Sequence, residues 1–145
     1  VSSIYPTNRI GFRVGPTSNF NDINDSNPEE LFAYIATQLG KKSLAYMHVI
    51  EGQTGGDRQN IPFNYDKLYA LFKQNGGLSS IANNGYTKDL AEATTVDLVA
   101  FGVPFIANPD LVYRLEHGLP LNEPDQTTFY GGDEKGYTDY PFYEK

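Results

Sequence analysis

Four apolar runs along the 145-residue chain alternate with stretches of helical periodicity. The first, "RIGFRVG" (9–15), sets Ile10, Phe12 and Val14 against Gly11 and Arg13, the two-residue alternation of a strand. After a polar loop comes "NPEELFAYIATQLG" (27–40), in which Leu31, Ile35 and Leu39 share one helical face. Asn27 is placed to N-cap that helix and Pro28 fits its first turn. Glu29 and Glu30 suit the positive end of its dipole, and Gly40 closes it. "LAYMHVI" (44–50) is nearly continuous in apolar residues, the pattern of a strand covered on both faces. Beyond the Gly-rich "EGQTGGDRQN" lies the helix "NYDKLYALFKQNG" (64–76), with Leu68, Leu71 and Phe72 inward. "SSIAN" (79–83) predicts a short third strand, and "TKDLAEATT" (87–95) a weak helix behind it. "VDLVAFG" (96–102) predicts the fourth strand, and "NPDLVYRLEHG" (108–118) a helix capped at Asn108 and Asp110 that stops at Gly118.

The pattern is four consecutive βα units, which implies an α/β fold with a parallel sheet and right-handed crossovers over residues 1–118. Residues 119–145, rich in Pro, Gly and Tyr, are expected to form an irregular, aromatic-rich tail that packs on it. Parallel sheets carry their chemistry at the carboxyl ends of the strands. Those ends fall at Arg13 to Pro16, His48 to Glu51, Asn83 to Tyr86, and Gly102 to Pro104. The last poses a question, because a strand, a glycine and a helix start build an anion site, yet Val103 stands where a cation would serve.

Composition narrows the options. The net charge of −7 argues against nucleic acid or an anionic membrane as partner, since both are bound through excess Lys and Arg. With no cysteine, disulfides and thiol chemistry are excluded, and no metal site is expected. No run approaches the roughly 18 apolar residues of a membrane span, so a soluble, cytoplasmic protein is expected. The chain opens on Val1, which suggests a piece of something longer.

"RIGFRVGP", "LAYMHVIEG", "IANNGYTKDLAEA", "DLVAFGVPFIANPDLVYRLEHGLPLN" and "TFYGGDEKGYTDYP", in that order, resemble the second half of the old yellow enzyme family of flavin-dependent ene-reductases. The resemblance implies strands five to eight of a (β/α)8 TIM barrel plus the C-terminal tail, with FMN bound at the strand ends and NAD(P)H as reductant. Arg13 matches the arginine beside the flavin's pyrimidine edge. Asn84 and Gly85 match a turn whose backbone N–H groups touch the FMN phosphate, and Gly102 matches the second phosphate-loop glycine. Val103 departs from the Arg or Lys usual there, which keeps the cradle's backbone and removes its charge. Tyr130 matches an aromatic of the substrate pocket, although it also reads as packing within the tail.

No catalytic residue is expected in this chain. The family's paired donors for the substrate, a His with an Asn or second His, and its proton-donating Tyr belong to the absent half. His48 reads as a packed, hydrogen-bonded core histidine, and His117 as a helix-end residue favoured by the dipole. Gly15 stands where the family commonly has Ser, and the segment from Tyr86 to Asp97 is about one helical turn shorter than usual. A half-barrel exposes two strand edges and an apolar face. The expected partner is therefore the missing N-terminal half-barrel or a second copy, with an enone as small-molecule substrate. The alternatives are a decayed or truncated, non-enzymatic half-barrel that binds a partner chain, and a generic phosphate-binding α/β domain.

Overall fold

The computed structural model describes residues 1–58 and 61–144. Strands β1 (Gly11–Val14), β2 (Tyr46–Ile50), β3 (Ser79–Asn83) and β4 (Leu98–Ala100) form one parallel sheet in chain order. The helices α1 (Pro28–Gly40), α2 (Tyr65–Gln74) and α3 (Lys88–Ala93) connect them, while α4 (Val103–Ala107) and α5 (Leu111–His117) follow the last strand. Sequential parallel strands joined by helices are the connectivity of half a (β/α)8 barrel. The chain divides into two compact units, Val1–Ala100 and Phe101–Lys145.

Register places Arg13, His48, Ile81 and Leu98 in one row across the sheet, and Val14, Val49, Ala82 and Val99 in the next. Met47, Val49 and Ala82 are wholly buried, whereas Tyr46, Arg13 and Leu98 are exposed. The expectation that β2 is covered on both faces is thus corrected. Its period-2 burial shows that one face packs and the other lacks a covering layer within this unit.

The α1–α2 contact departs from the predicted stripe of Leu31, Ile35 and Leu39. Leu31 is exposed, and the buried positions of α1 are Ala36 and Gly40. A side chain at Gly40 would meet the Phe72 carbonyl oxygen at 2.5 Å, so small residues let α1 approach the backbone of α2. Gly40 is therefore a packing residue as well as a helix end. On α2 the buried set is Leu68, Tyr69 and Phe72, with Tyr69 in place of the expected Leu71. Asn64 caps α2 as its sequence position suggests, accepting from Lys67 N at 2.9 Å. Asn27 does not cap α1, because its amide donates instead to Glu30 Oε2 at 2.8 Å.

Asp97 ties the approach to β4 into the rest of the first unit. Its Oδ2 accepts from Ser80 N and Oγ at 2.8 and 2.9 Å, and its Oδ1 accepts from Lys73 Nζ at 2.5 Å. The Lys73 ammonium and the Ser80 N–H hold its carboxyl down at about 2.

In the second unit, α5 stands where a helix was expected over 108–118, and α4 is an additional helix before it. α4 begins directly after Gly102, and Asn108 is its C-cap residue rather than an N-cap of α5. Fully buried, Asn108 donates to Pro104 O at 2.9 Å and accepts from Asn122 N at 2.7 Å. Asp110 precedes α5 but spends its carboxylate on Arg114 Nε (2.6 Å) and Tyr143 N (2.8 Å) rather than on helix N–H groups. The buried Arg114 donates to the carbonyls of Pro120 and Pro141, fixing an otherwise irregular tail. Gly118 ends α5 in the left-handed conformation, φ 63°.

Two stability predictions follow from this packing. Phe72→Ala is expected to lower unfolding free energy by about 3–5 kcal/mol in a denaturant titration, because its side chain is wholly buried. Asp97→Asn is expected to lower it by about 1 kcal/mol near neutrality, mainly through the Ser80 N–H, since Lys73 is half solvated. The Asp97 carboxyl is depressed in the folded state, so its stabilisation is complete above the unfolded value of 3.8 and is lost as pH falls through about 2. The gap between wild type and variant should close over that interval in acid titrations followed by circular dichroism.

Candidate functional site

The carboxyl ends of β2 and β3 build a polar centre in the first unit. After Ile50 the chain leaves the sheet at Glu51, whose N–H still donates to Asn83 O at 3.0 Å. Its side chain is 7% exposed, and a carboxylate so placed requires partners. Tyr69 OH donates to Oε1 at 2.8 Å, and Tyr86 OH to Oε2 at 2.9 Å. Arg58 Nη2 donates to Oε2 at 2.5 Å, and its guanidinium carbon lies 4.0 Å from the centre of the Tyr86 ring. Burial and the Glu51 charge push the Tyr86 phenol up to about 12 and that of Tyr69 higher still. Both therefore stay protonated and act as donors.

Asn84 and Gly85 turn the chain away from β3 with φ of 96° and 61°, both left-handed. The left-handed backbone at 85 favours glycine, and a Cβ there would press on Arg58 Cδ at 3.1 Å. The Asn84 amide is fully engaged, donating to Glu51 O at 2.7 Å and Gln53 O at 2.9 Å. The turn thus offers a ligand its backbone rather than the Asn84 side chain. Among the described residues, no hydrogen bond takes up the N–H of Asn84 or Gly85. Tyr65 OH accepts from Gly52 N at 2.7 Å and pairs with Thr17 Oγ1 at 2.8 Å, joining the loops after β1 and β2. Ser18 Oγ and Thr54 Oγ1, 2.6 Å apart, add a second link.

A cleft of about 760 Å³ borders this centre, lined by Arg58, Tyr65, Tyr69 and Tyr86 together with Leu90 and Thr94. It opens beside α3, a six-residue helix with no buried residue, which gives the thin shielding expected from the short segment.

Arg13 projects from the exposed face of β1 and forms no ion pair among the described residues. Its register neighbour His48 is half-buried, with Nε2 lacking a hydrogen bond, so the expected hydrogen-bonded core histidine is corrected at that nitrogen. Burial and the Arg13 charge lower its pKa, which keeps the ring neutral near pH 7. His117 behaves as expected at a helix end, its Nδ1 2.9 Å from Tyr113 O.

In the second unit, Gly102 has φ −101°, and nothing lies within 4 Å of where its side chain would begin. Neither backbone nor described packing demands glycine there, which leaves the open approach that an anion needs to reach main-chain N–H groups. Val103 is half exposed and brings no charge. In the first unit, the N–H groups of Asn84 and Gly85, free among the described residues, are backbone donors of the kind that suits a phosphate. Tyr130 is 97% exposed, its ring edge-on to Phe129 at 6.3 Å, so it is not buried in the tail.

Among the described residues, no group of three or more His, Cys, Asp or Glu could hold a metal ion, and no helix is long and apolar enough to cross a membrane.

Sequence reasoning placed Glu51 and Tyr86 at strand ends without assigning them roles, and it missed Arg58, Tyr65 and Tyr69. The available signal was an acid and an arginine flanking a Gly-rich loop directly after a buried strand.

Residues 1–122 match the model of the NADH:flavin oxidoreductase / NADH oxidase family. A 12-oxophytodienoate reductase-like protein of Solanum lycopersicum is 40% identical over 141 residues, covering 94% of this chain and 36% of that protein. A "Probable flavin mononucleotide-dependent alkene reductase" of Leishmania infantum is 37% identical over 140 residues, covering 92% of this chain and 36% of that one. The solved old yellow enzyme of Trypanosoma cruzi superposes with a TM-score of 0.88 at 35% identity, over 99% of this chain and 38% of its own. The chain thus spans less than two fifths of the length of these relatives. With a family match across most of its length and a four-stranded parallel half-barrel to go with it, this chain belongs to the NADH:flavin oxidoreductase / NADH oxidase family.

Proposed function

We propose that this chain is the C-terminal part of an FMN-dependent ene-reductase, contributing part of the FMN site and depending on an N-terminal half-barrel for catalysis. The observation that carries this reading is the near-complete superposition of the chain on a flavoenzyme barrel of which it covers only 38%. The chemistry FMN supplies when bound is hydride transfer, from NAD(P)H and then to the β-carbon of an activated alkene such as an enone.

The chain's own residues have binding roles in this reading. The Arg13 guanidinium, without an ion pair among the described residues, sits at the flavin's pyrimidine edge and stabilises negative charge on the reduced ring. The N–H groups of Asn84 and Gly85 are donors to the phosphate, as is the Gly102–Val103 backbone. Tyr130, 97% exposed with its ring edge-on to Phe129, lines the substrate pocket. Donors to the substrate's electron-withdrawing group, and the acid that protonates its α-carbon, come from the partner half.

The uncovered face of the sheet supports such a partner. That face, with Tyr46 and Leu98 each 40% exposed or more, is what four further strands would cover. The length missing relative to the family favours the N-terminal half over a second copy. A non-enzymatic, decayed half-barrel is the second reading, favoured by Val103.

Flavin fluorescence quenching separates the two readings. Supplied with the N-terminal portion of the tomato relative, the chain should bind FMN and bleach it on addition of NADPH. Turnover of an enone by the chain alone would overturn the dependence on a partner, and absence of FMN binding in the complemented state would favour decay. Val103→Arg should tighten FMN by about ten- to a hundredfold, the effect of one hydrogen bond to a charged group. That gain should shrink in roughly 1 M salt, where the Debye length falls to about 3 Å.

A further inference from the structure

Glu51 touches the residues around the β3 turn from both ends of its own structure. Its main-chain N–H bonds Asn83 O and its carbonyl accepts from the Asn84 amide. Its carboxylate holds the Tyr86 hydroxyl and the Arg58 guanidinium. The Arg58 stem in turn lies against Gly85, the one residue of the four that Glu51 does not reach. From this geometry we propose that Glu51 is a positioning residue for the phosphate-binding turn, acting through Tyr86 and Arg58 to fix the N–H groups of Asn84 and Gly85.

The alternative is that the cluster only stabilises the fold. Three features favour positioning. A buried ion pair is a poor stabiliser, because desolvating both charges offsets most of their attraction. The turn it surrounds has two consecutive left-handed residues, one of them the non-glycine Asn84, a conformation that persists only where neighbours impose it. Successive N–H groups in such a turn form a concave anion receptor only if their directions are fixed. Among the described residues, the hydrogen bonds of Glu51 itself run to Asn83, Asn84 and Tyr86, to Arg58, and to Tyr69 of the covering helix.

The inference rests on the flavin reading above, and its test compares FMN with riboflavin, which lacks the phosphate. The full chain, complemented with the N-terminal portion of the tomato relative, is titrated with each flavin. Wild type should prefer FMN clearly; equal affinity for the two would sink the flavin-phosphate reading itself. Glu51→Gln removes the charge that anchors Arg58 at nearly constant size. It should weaken FMN about tenfold and leave riboflavin within roughly twofold, which a general loss of structure would not do. Tyr86→Phe removes a single hydroxyl from the hub. It should shift the FMN-to-riboflavin ratio in the same direction by about three- to fivefold, and it serves where the Gln variant does not fold. Parallel losses for both flavins, or an unchanged ratio in both variants while wild type still prefers FMN, would overturn the role assigned to Glu51.

Discussion

One buried carboxylate organises the functional end of the first unit. Glu51 sits where β2 leaves the sheet, and a charge there is tolerable only because two phenols and a guanidinium surround it. Each donor comes from a different segment: Arg58 from the Gly-rich loop, Tyr69 from α2, and Tyr86 from the turn after β3. The requirement to satisfy one carboxylate thereby fixes the relative positions of a loop, a helix and a turn. Removing a single donor leaves the charge partly unpaired, so the pieces are coupled rather than additive.

Around that hub, hydrogen bonds join the strand-end loops into a continuous rim. Thr17 and Ser18 reach across to Tyr65 and Thr54, and Asn19 exchanges hydrogen bonds with Gln53. The Asn84 amide closes the series from the β3 side. A rim built this way presents backbone N–H groups from fixed positions, as a phosphate-bearing cofactor requires. The second unit uses the same device in miniature. Arg114 and Asp110 pair with each other, and their remaining hydrogen-bonding capacity ties the tail to α5.

The sheet has two unlike faces. Met47, Val49 and Ala82 are sealed on one face, whereas Arg13, Tyr46 and Leu98 stand on the other with only partial cover. In a closed barrel those positions form the interior, where eight strands contribute layers of side chains. The relatives the chain matches are more than twice as long.

The order of elements was legible in the chain itself. Apolar alternation marked β1, the Asn-Pro-Glu-Glu start marked α1, and the repeated strand-helix rhythm marked a parallel sheet, because each of these signals is local and periodic. The residues later read as cofactor ligands came from motif resemblance on top of that rhythm. The interactions that hold those residues were not legible. Glu51 meets Tyr86 only through the parallel register of β2 and β3, and Tyr69 only because α2 packs with that edge inward. Asn108 looked like a helix start by sequence, yet the chain had already begun α4 after Gly102, which made it a buried anchor for Asn122. Periodicity reports which face of an element avoids water. It does not report which distant polar groups end up within 3 Å of one another, because that depends on how loops and layers meet, and here only the tertiary structure decided it.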